Sequence, residues 1–155
     1  MIQKITKPLC ILADANVIIE IHALGIWAQF TNQCHVITTE YIQQHEAKYF
    51  KSKKENVKVT IDLSSYITNG QLHLISADAT DLKPIYDTFD SVFIDSIDSG
   101  EIEALALIMA NKHQNALLCS GDGRAIQALA MIGKTATGIS LQKSLEKSGV
   151  NNHQH

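Results

Sequence analysis

Leu9-Cys10-Ile11-Leu12-Ala13-Asp14 is a run of apolar residues closed by a carboxylate. A short stretch that is apolar at every position reads as a strand covered on both faces, the pattern of a parallel sheet. Beyond Asp14, the apolar residues Val17, Ile18, Ile21, Leu24 and Trp27 recur at helical spacing, which predicts a helix over 17–30. The same order returns near the C-terminus. Ala116-Leu117-Leu118-Cys119 reads as a second buried strand, Ser120-Gly121-Asp122 closes it, and a helix over 122–132 follows. Strands are also predicted over 35–38, 71–76 and 135–138. Helices are predicted over 40–50 with Thr39 as cap, over 57–68 up to the stop Asn69-Gly70, and over 78–89 with an interruption at Pro84. Two more are expected over 101–113 and 140–148, and the basic stretch 48–58 reads as a loop. Strands alternating with helices predict an α/β fold with a parallel, doubly wound sheet.

Composition narrows the classes. A chain of 155 residues has room for one domain, read here as residues 1–150 with a frayed polar tail at 151–155. The hydrophobic fraction of 45% excludes a disordered chain. A net charge of −3 leaves no strong basic field to hold nucleic acid unaided. Arg124 is the single arginine, so phosphate recognition must lean on lysines, a metal or backbone N–H groups. Cys10, Cys34 and Cys119 are odd in number and widely spaced, which fits neither a disulfide framework nor a zinc ribbon. No apolar run approaches the ~20 residues of a membrane span, and the N-terminal one is too short for a signal core. The expectation is a protein of the cytoplasm with no membrane partner.

Ligands of open α/β sheets bind beyond the carboxyl ends of the strands. Asp14, Glu40 and Asp122 follow predicted strands, while Glu101 and Glu103 open the helix that feeds the strand before Asp122. Carboxylates gathered at one edge repel unless something positive sits among them. A hard divalent cation, Mg²⁺ or Mn²⁺, does that with oxygen ligands, and such a site is fit to hydrolyse phosphodiesters. Each residue also has a plainer role: Asn16 as a helix cap in an Asx turn, Glu40 answering a helix dipole, Asp122 as a cap. Glu101 stands three residues after Asp98, a capping-box spacing that gives it structural work. Glu103, about 200° around the helix from Glu101, is therefore the expected ligand and Glu101 the reserve. The seven histidines form no HxxxH or HExxH spacing, and His153 and His155 fall on the polar tail. Lys48, Lys51, Lys53 and Lys54 read as a solvated loop, or as a track for a nucleic-acid backbone.

The segments ILADANVII, TTEYIQQHEA, DSGEIEALALIMANKH and ALLCSGDGRAI, in that order, resemble the PIN-domain nucleases, and most the small single-domain, toxin-like ribonucleases among them. The resemblance implies a three-layer α/β/α sandwich around a central, mainly parallel sheet, with Mg²⁺- or Mn²⁺-dependent hydrolysis of RNA. Carried over by position, it implies Asp14, Glu40, Glu103 and Asp122 as catalytic acids. Asp14, Glu103 and Asp122 would be the metal ligands, Asn16 and Ser120 the supporting residues, and Arg124 a contact to the RNA backbone. Such proteins commonly pair with an antitoxin and form homodimers. Gly123 and Arg124 stand where many relatives carry a further acid. Asp14-Ala15-Asn16-Val17 and Gly121-Asp122-Gly123 also resemble signatures of haloacid-dehalogenase-type phosphatases, although Asn16 replaces the acid that family needs. A non-catalytic PIN-like binding module is the third reading.

Overall fold

The computed structural model of the chain describes residues 9–52, 54–113 and 115–150. The expected tail 151–155 and Lys53 lie outside the described residues. The elements in order are β1 (Leu9–Ala13), α1 (Ala15–Ala23), α2 (Trp27–Gln33), β2 (Cys34–Thr39), a π-helical turn (Ile42–Glu46), β3 (Tyr49–Lys51), β4 (Lys58–Thr60) and α3 (Ser64–Thr68). There follow β5 (Leu72–Ile75), α4 (Ala79–Thr88), α5 (Ser91–Asp95), α6 (Ser99–Met109), β6 (Ala116–Cys119), α7 (Gly123–Met131), a 3₁₀ turn (Thr135–Thr137), β7 (Gly138–Ile139) and α8 (Leu141–Ser148).

The main sheet runs β5-β2-β1-β6-β7, and every pairing in it is parallel. Strand alternation divides the core between its two faces. Ile11, Ala13 and Val36 face Val17, Ile18, Ile21 and Phe30 of α1 and α2. Leu12, Ile37 and Leu118 face Ile85 of α4, Leu105 of α6 and Leu129 of α7. Helices thus cover both faces, and the architecture is a three-layer α/β/α sandwich. No helix of the described residues is long and apolar enough to cross a membrane. The first connection goes from β1 to β2 on one side, and β6 returns on the other. Strand order therefore reverses between β1 and β6, and the crevice at their carboxyl ends is where such a sheet takes its ligand.

Several local expectations need correction. The helix expected over 17–30 is two helices, because Gly25 takes the left-handed region (φ +73°) that few other residues tolerate. The helix expected over 40–50 is a short turn: Ala47 N–H bonds to the Ile42 carbonyl at 2.8 Å, and β3 follows. Thr39 does cap that turn, its Oγ1 accepting from Ile42 N–H at 3.1 Å. Part of the expected loop 48–58 pairs as an antiparallel β3–β4 hairpin, so the helix expected over 57–68 shrinks to α3. α4 continues through Pro84 instead of breaking, and Asp78 and Asp81 form a capping box at its start. The strand expected over 135–138 is mostly the 3₁₀ turn, and β7 lies at its end.

Candidate functional site

Asp14 leaves β1 at the reversal point and is 1% exposed. Its Oδ1 caps α1 by accepting from Val17 N–H at 3.0 Å, so Asp14 and not Asn16 is the helix cap. Its backbone N–H bonds to the Cys119 carbonyl at 3.2 Å, locking the ends of β1 and β6 together. Ser120, the first residue after β6, donates its hydroxyl proton to Asp14 Oδ2 at 2.5 Å. The Ser120 hydroxyl oxygen in turn accepts from Asp122 N–H at 3.0 Å. Asp122 in turn caps α7, its Oδ1 accepting from Arg124 N–H at 2.8 Å.

The fourth member comes from α6. Glu101 is 3% exposed, and its Oε1 lies 3.3 Å from Ser120 Oγ. A hydroxyl has one proton, and the shorter contact to Asp14 takes it. The Glu101 contact is therefore a hydrogen bond only when Glu101 itself is protonated. Burial first, and then the neighbouring carboxyl groups of Asp14 and Asp122, push the Glu101 pKa up to about 9. Glu101 Oε2 is buried without a hydrogen-bond partner. The capping box expected between Asp98 and Glu101 is absent: Asp98 precedes α6 without a side-chain cap bond, and Glu101 turns to the sheet edge. Among the described residues, the ion pairs join Lys83 to Asp87 and Lys112 to Asp81, and neither touches this cluster.

Glu46 completes the acidic edge from the π-helical turn. Burial, then the charge of Asp98, raise its pKa; the Gly100 backbone N–H opposes this, and Asp14 adds a further upward push. A Cβ at position 100 would collide with Glu46 Oε1 and with the Ile42 side chain. Gly100 thus lets the turn and α6 approach closely. This is the one readable trace of Glu46 in the sequence: a glycine inside an otherwise Ala- and Leu-rich helix implies a close neighbour.

The remaining expected residues lie elsewhere. Glu40 is exposed, six residues before Glu46. Asn16 and Arg124 are exposed as well. Glu103 faces away from the cluster, with its Oε2 accepting from Ala77 N–H at 3.0 Å. The structure therefore joins Asp14, Ser120 and Asp122 to Glu101, and it leaves Glu40 and Glu103 outside that hydrogen-bonded set.

Among the described residues no three His, Cys, Asp or Glu side chains converge into a ready-made metal cage. A divalent cation still fits the donor set. Mg²⁺ is held by one or two carboxylates and keeps most of its waters. The buried, unpartnered Glu101 Oε2 beside Asp14 supplies such a pair, with no ion pair to it among the described residues. Each Asp14 oxygen accepts one hydrogen bond and keeps a second lone pair for a cation. In comparisons with protein-family models, curated proteins and solved structures, nothing matches this chain.

Proposed function

We propose that this chain is a metal-dependent ribonuclease acting at the crevice between β1 and β6. The observation that carries the reading is the buried Asp14–Ser120–Glu101 cluster at the reversal point of a parallel sheet, with no cationic partner among the described residues. Asp14 and Glu101 would hold Mg²⁺ or Mn²⁺, with Asp122 at the rim. A cation there neutralises the carboxylates, activates water and stabilises negative charge on a phosphate. Ser120 positions the two buried carboxyl groups through a single hydroxyl, and capping fixes Asp14 and Asp122. Glu46 stands at the same edge as a base or an outer ligand, the role first expected of Glu40. Arg124, exposed at the start of α7, would contact the RNA backbone in this reading. Pairing with an antitoxin, a homodimeric state and a cytoplasmic location belong to this reading as well, and they rest on the resemblance alone.

The test is cleavage of labelled single-stranded RNA by the purified chain with Mn²⁺, with Mg²⁺ and with EDTA, alongside Asp14→Asn. Asparagine keeps the cap oxygen and removes the charge. Metal-dependent cleavage that disappears in the variant supports the reading. Equal cleavage by both proteins overturns it.

A further inference from the structure

A second feature lies on the other side of α6. Tyr41 precedes the π-helical turn, Leu82 and Tyr86 are one turn apart on α4, and Ser99, Ile102 and Glu103 share a face of α6. Together they line a cleft of about 200 Å³. The two tyrosines are large aromatics left in solvent, 41% and 56% exposed. Glu103 is held from behind, its Oε2 fixed by the Ala77 N–H at 3.0 Å. Its other oxygen, Oε1, is buried without a hydrogen-bond partner. A buried acceptor left unmade is costly, and the side chain that carries it lines a cleft with aromatic and aliphatic walls. Along the helix axis it is only about 3 Å from Glu101.

We infer that this cleft binds one unstacked nucleobase of the RNA, and that Glu103 selects a base carrying an exocyclic amine. This inference rests on the ribonuclease reading for its ligand class. Single-stranded RNA is commonly recognised by stacking splayed bases on aromatic side chains and reading their edges by hydrogen bonds. Leu82 and Ile102 supply apolar contact, Tyr41 and Tyr86 supply ring faces, and Glu103 Oε1 supplies one acceptor. A carboxylate accepts from the cytosine N4 amine, a recognised pairing. Uracil shows two carbonyl oxygens beside its one N–H, and they would face the same negative charge. A guanidinium from a partner protein is the competing occupant. It is best met by two parallel carboxylate oxygens, and one of the two here is already bonded to Ala77.

The pair cytosine and uracil isolates the amine, because the rings are otherwise alike. Binding of short oligo-C and oligo-U to the full chain is measured by fluorescence polarisation in EDTA, so that cleavage does not interfere. Wild type is expected to prefer oligo-C by about tenfold. In Glu103→Gln the amide oxygen must keep the Ala77 N–H, which turns the NH₂ toward the base, so the preference inverts to oligo-U. Tyr86→Ala, on an exposed residue, weakens both oligonucleotides alike by about tenfold. A chain that cuts RNA with Mg²⁺ but binds both oligonucleotides equally, with Glu103→Gln silent, overturns the inference and leaves the nuclease reading intact. A chain that cuts no RNA yet shows the preference and its inversion keeps the base site and overturns the nuclease. Weak, equal oligonucleotide binding beside tight binding of an arginine-rich peptide overturns it in favour of a protein partner.

Discussion

Glu101 and Glu103 stand two residues apart on α6 and meet opposite surroundings. Glu101 is sealed against the end of the sheet, shares a hydroxyl with Asp14, and has its proton affinity raised by burial and by like charges. Glu103 borders an open cleft, is anchored by a backbone N–H, and has no acid bonded to it. The difference teaches how a helix separates two tasks. About 200° of rotation sends one carboxylate into a crowded, charge-strained cluster and the other to a surface where it can read a ligand. Strain of the first kind lowers stability and is retained where chemistry needs it.

The comparison is broken most decisively at the cluster. Asp14→Asn is expected to lower RNA cleavage by about 1,000-fold while circular dichroism stays unchanged, since asparagine is as good a helix cap. A smaller effect follows from the Glu101 pKa. Its folded value of about 9 exceeds the ordinary 4.5, so its contribution to stability is present below pH 4.5 and is lost as pH rises toward 9. In EDTA at pH 8, Glu101→Gln should therefore be more stable than wild type by about 2–4 kcal/mol in a urea titration. Gly100→Ala pushes a methyl group into Glu46 and Ile42. It should destabilise the chain by about 1–3 kcal/mol in the same titration. The smallest effect lies far from the site. His22 stacks on Trp27 at 4.7 Å and bonds to the Ile18 carbonyl at 2.8 Å. Burial lowers its pKa below 6.5, so its contribution is present above pH 6.5 and is lost as pH falls through the folded value. Between pH 7 and 5 the melting temperature of His22→Phe should fall by about 2 °C less than that of wild type.

What the sequence disclosed depended on how local the cause was. β1 and β6 were readable as apolar runs because both faces are buried, and α7 and α8 because Asp122 and Ser140 cap them. Asp14, Ser120 and Asp122 followed from those strands, since the residue after a strand falls at the sheet edge by geometry. The segment from Glu40 to Thr68 was misread because its structure depends on distant contacts. The π-helical turn needs the space above Gly100, and the β3–β4 hairpin packs on α1. Glu101 was underrated for a related reason: its spacing from Asp98 satisfies a local capping rule, and the tertiary pull of Ser120 and Asp14 overrides it. Glu46 is not legible because Glu40 is the acid that follows the predicted strand, whereas Glu46 reaches the edge only through the π-helical turn packed against Gly100.

Mn²⁺ titration calorimetry on wild type, Glu101→Gln and Glu103→Gln tests the central division between the two glutamates. Wild type and Glu103→Gln are expected to bind Mn²⁺ with similar affinity, and Glu101→Gln to bind at least tenfold more weakly. Binding that survives in Glu101→Gln and is lost in Glu103→Gln would contradict the placement of the site on the Glu101 side of α6.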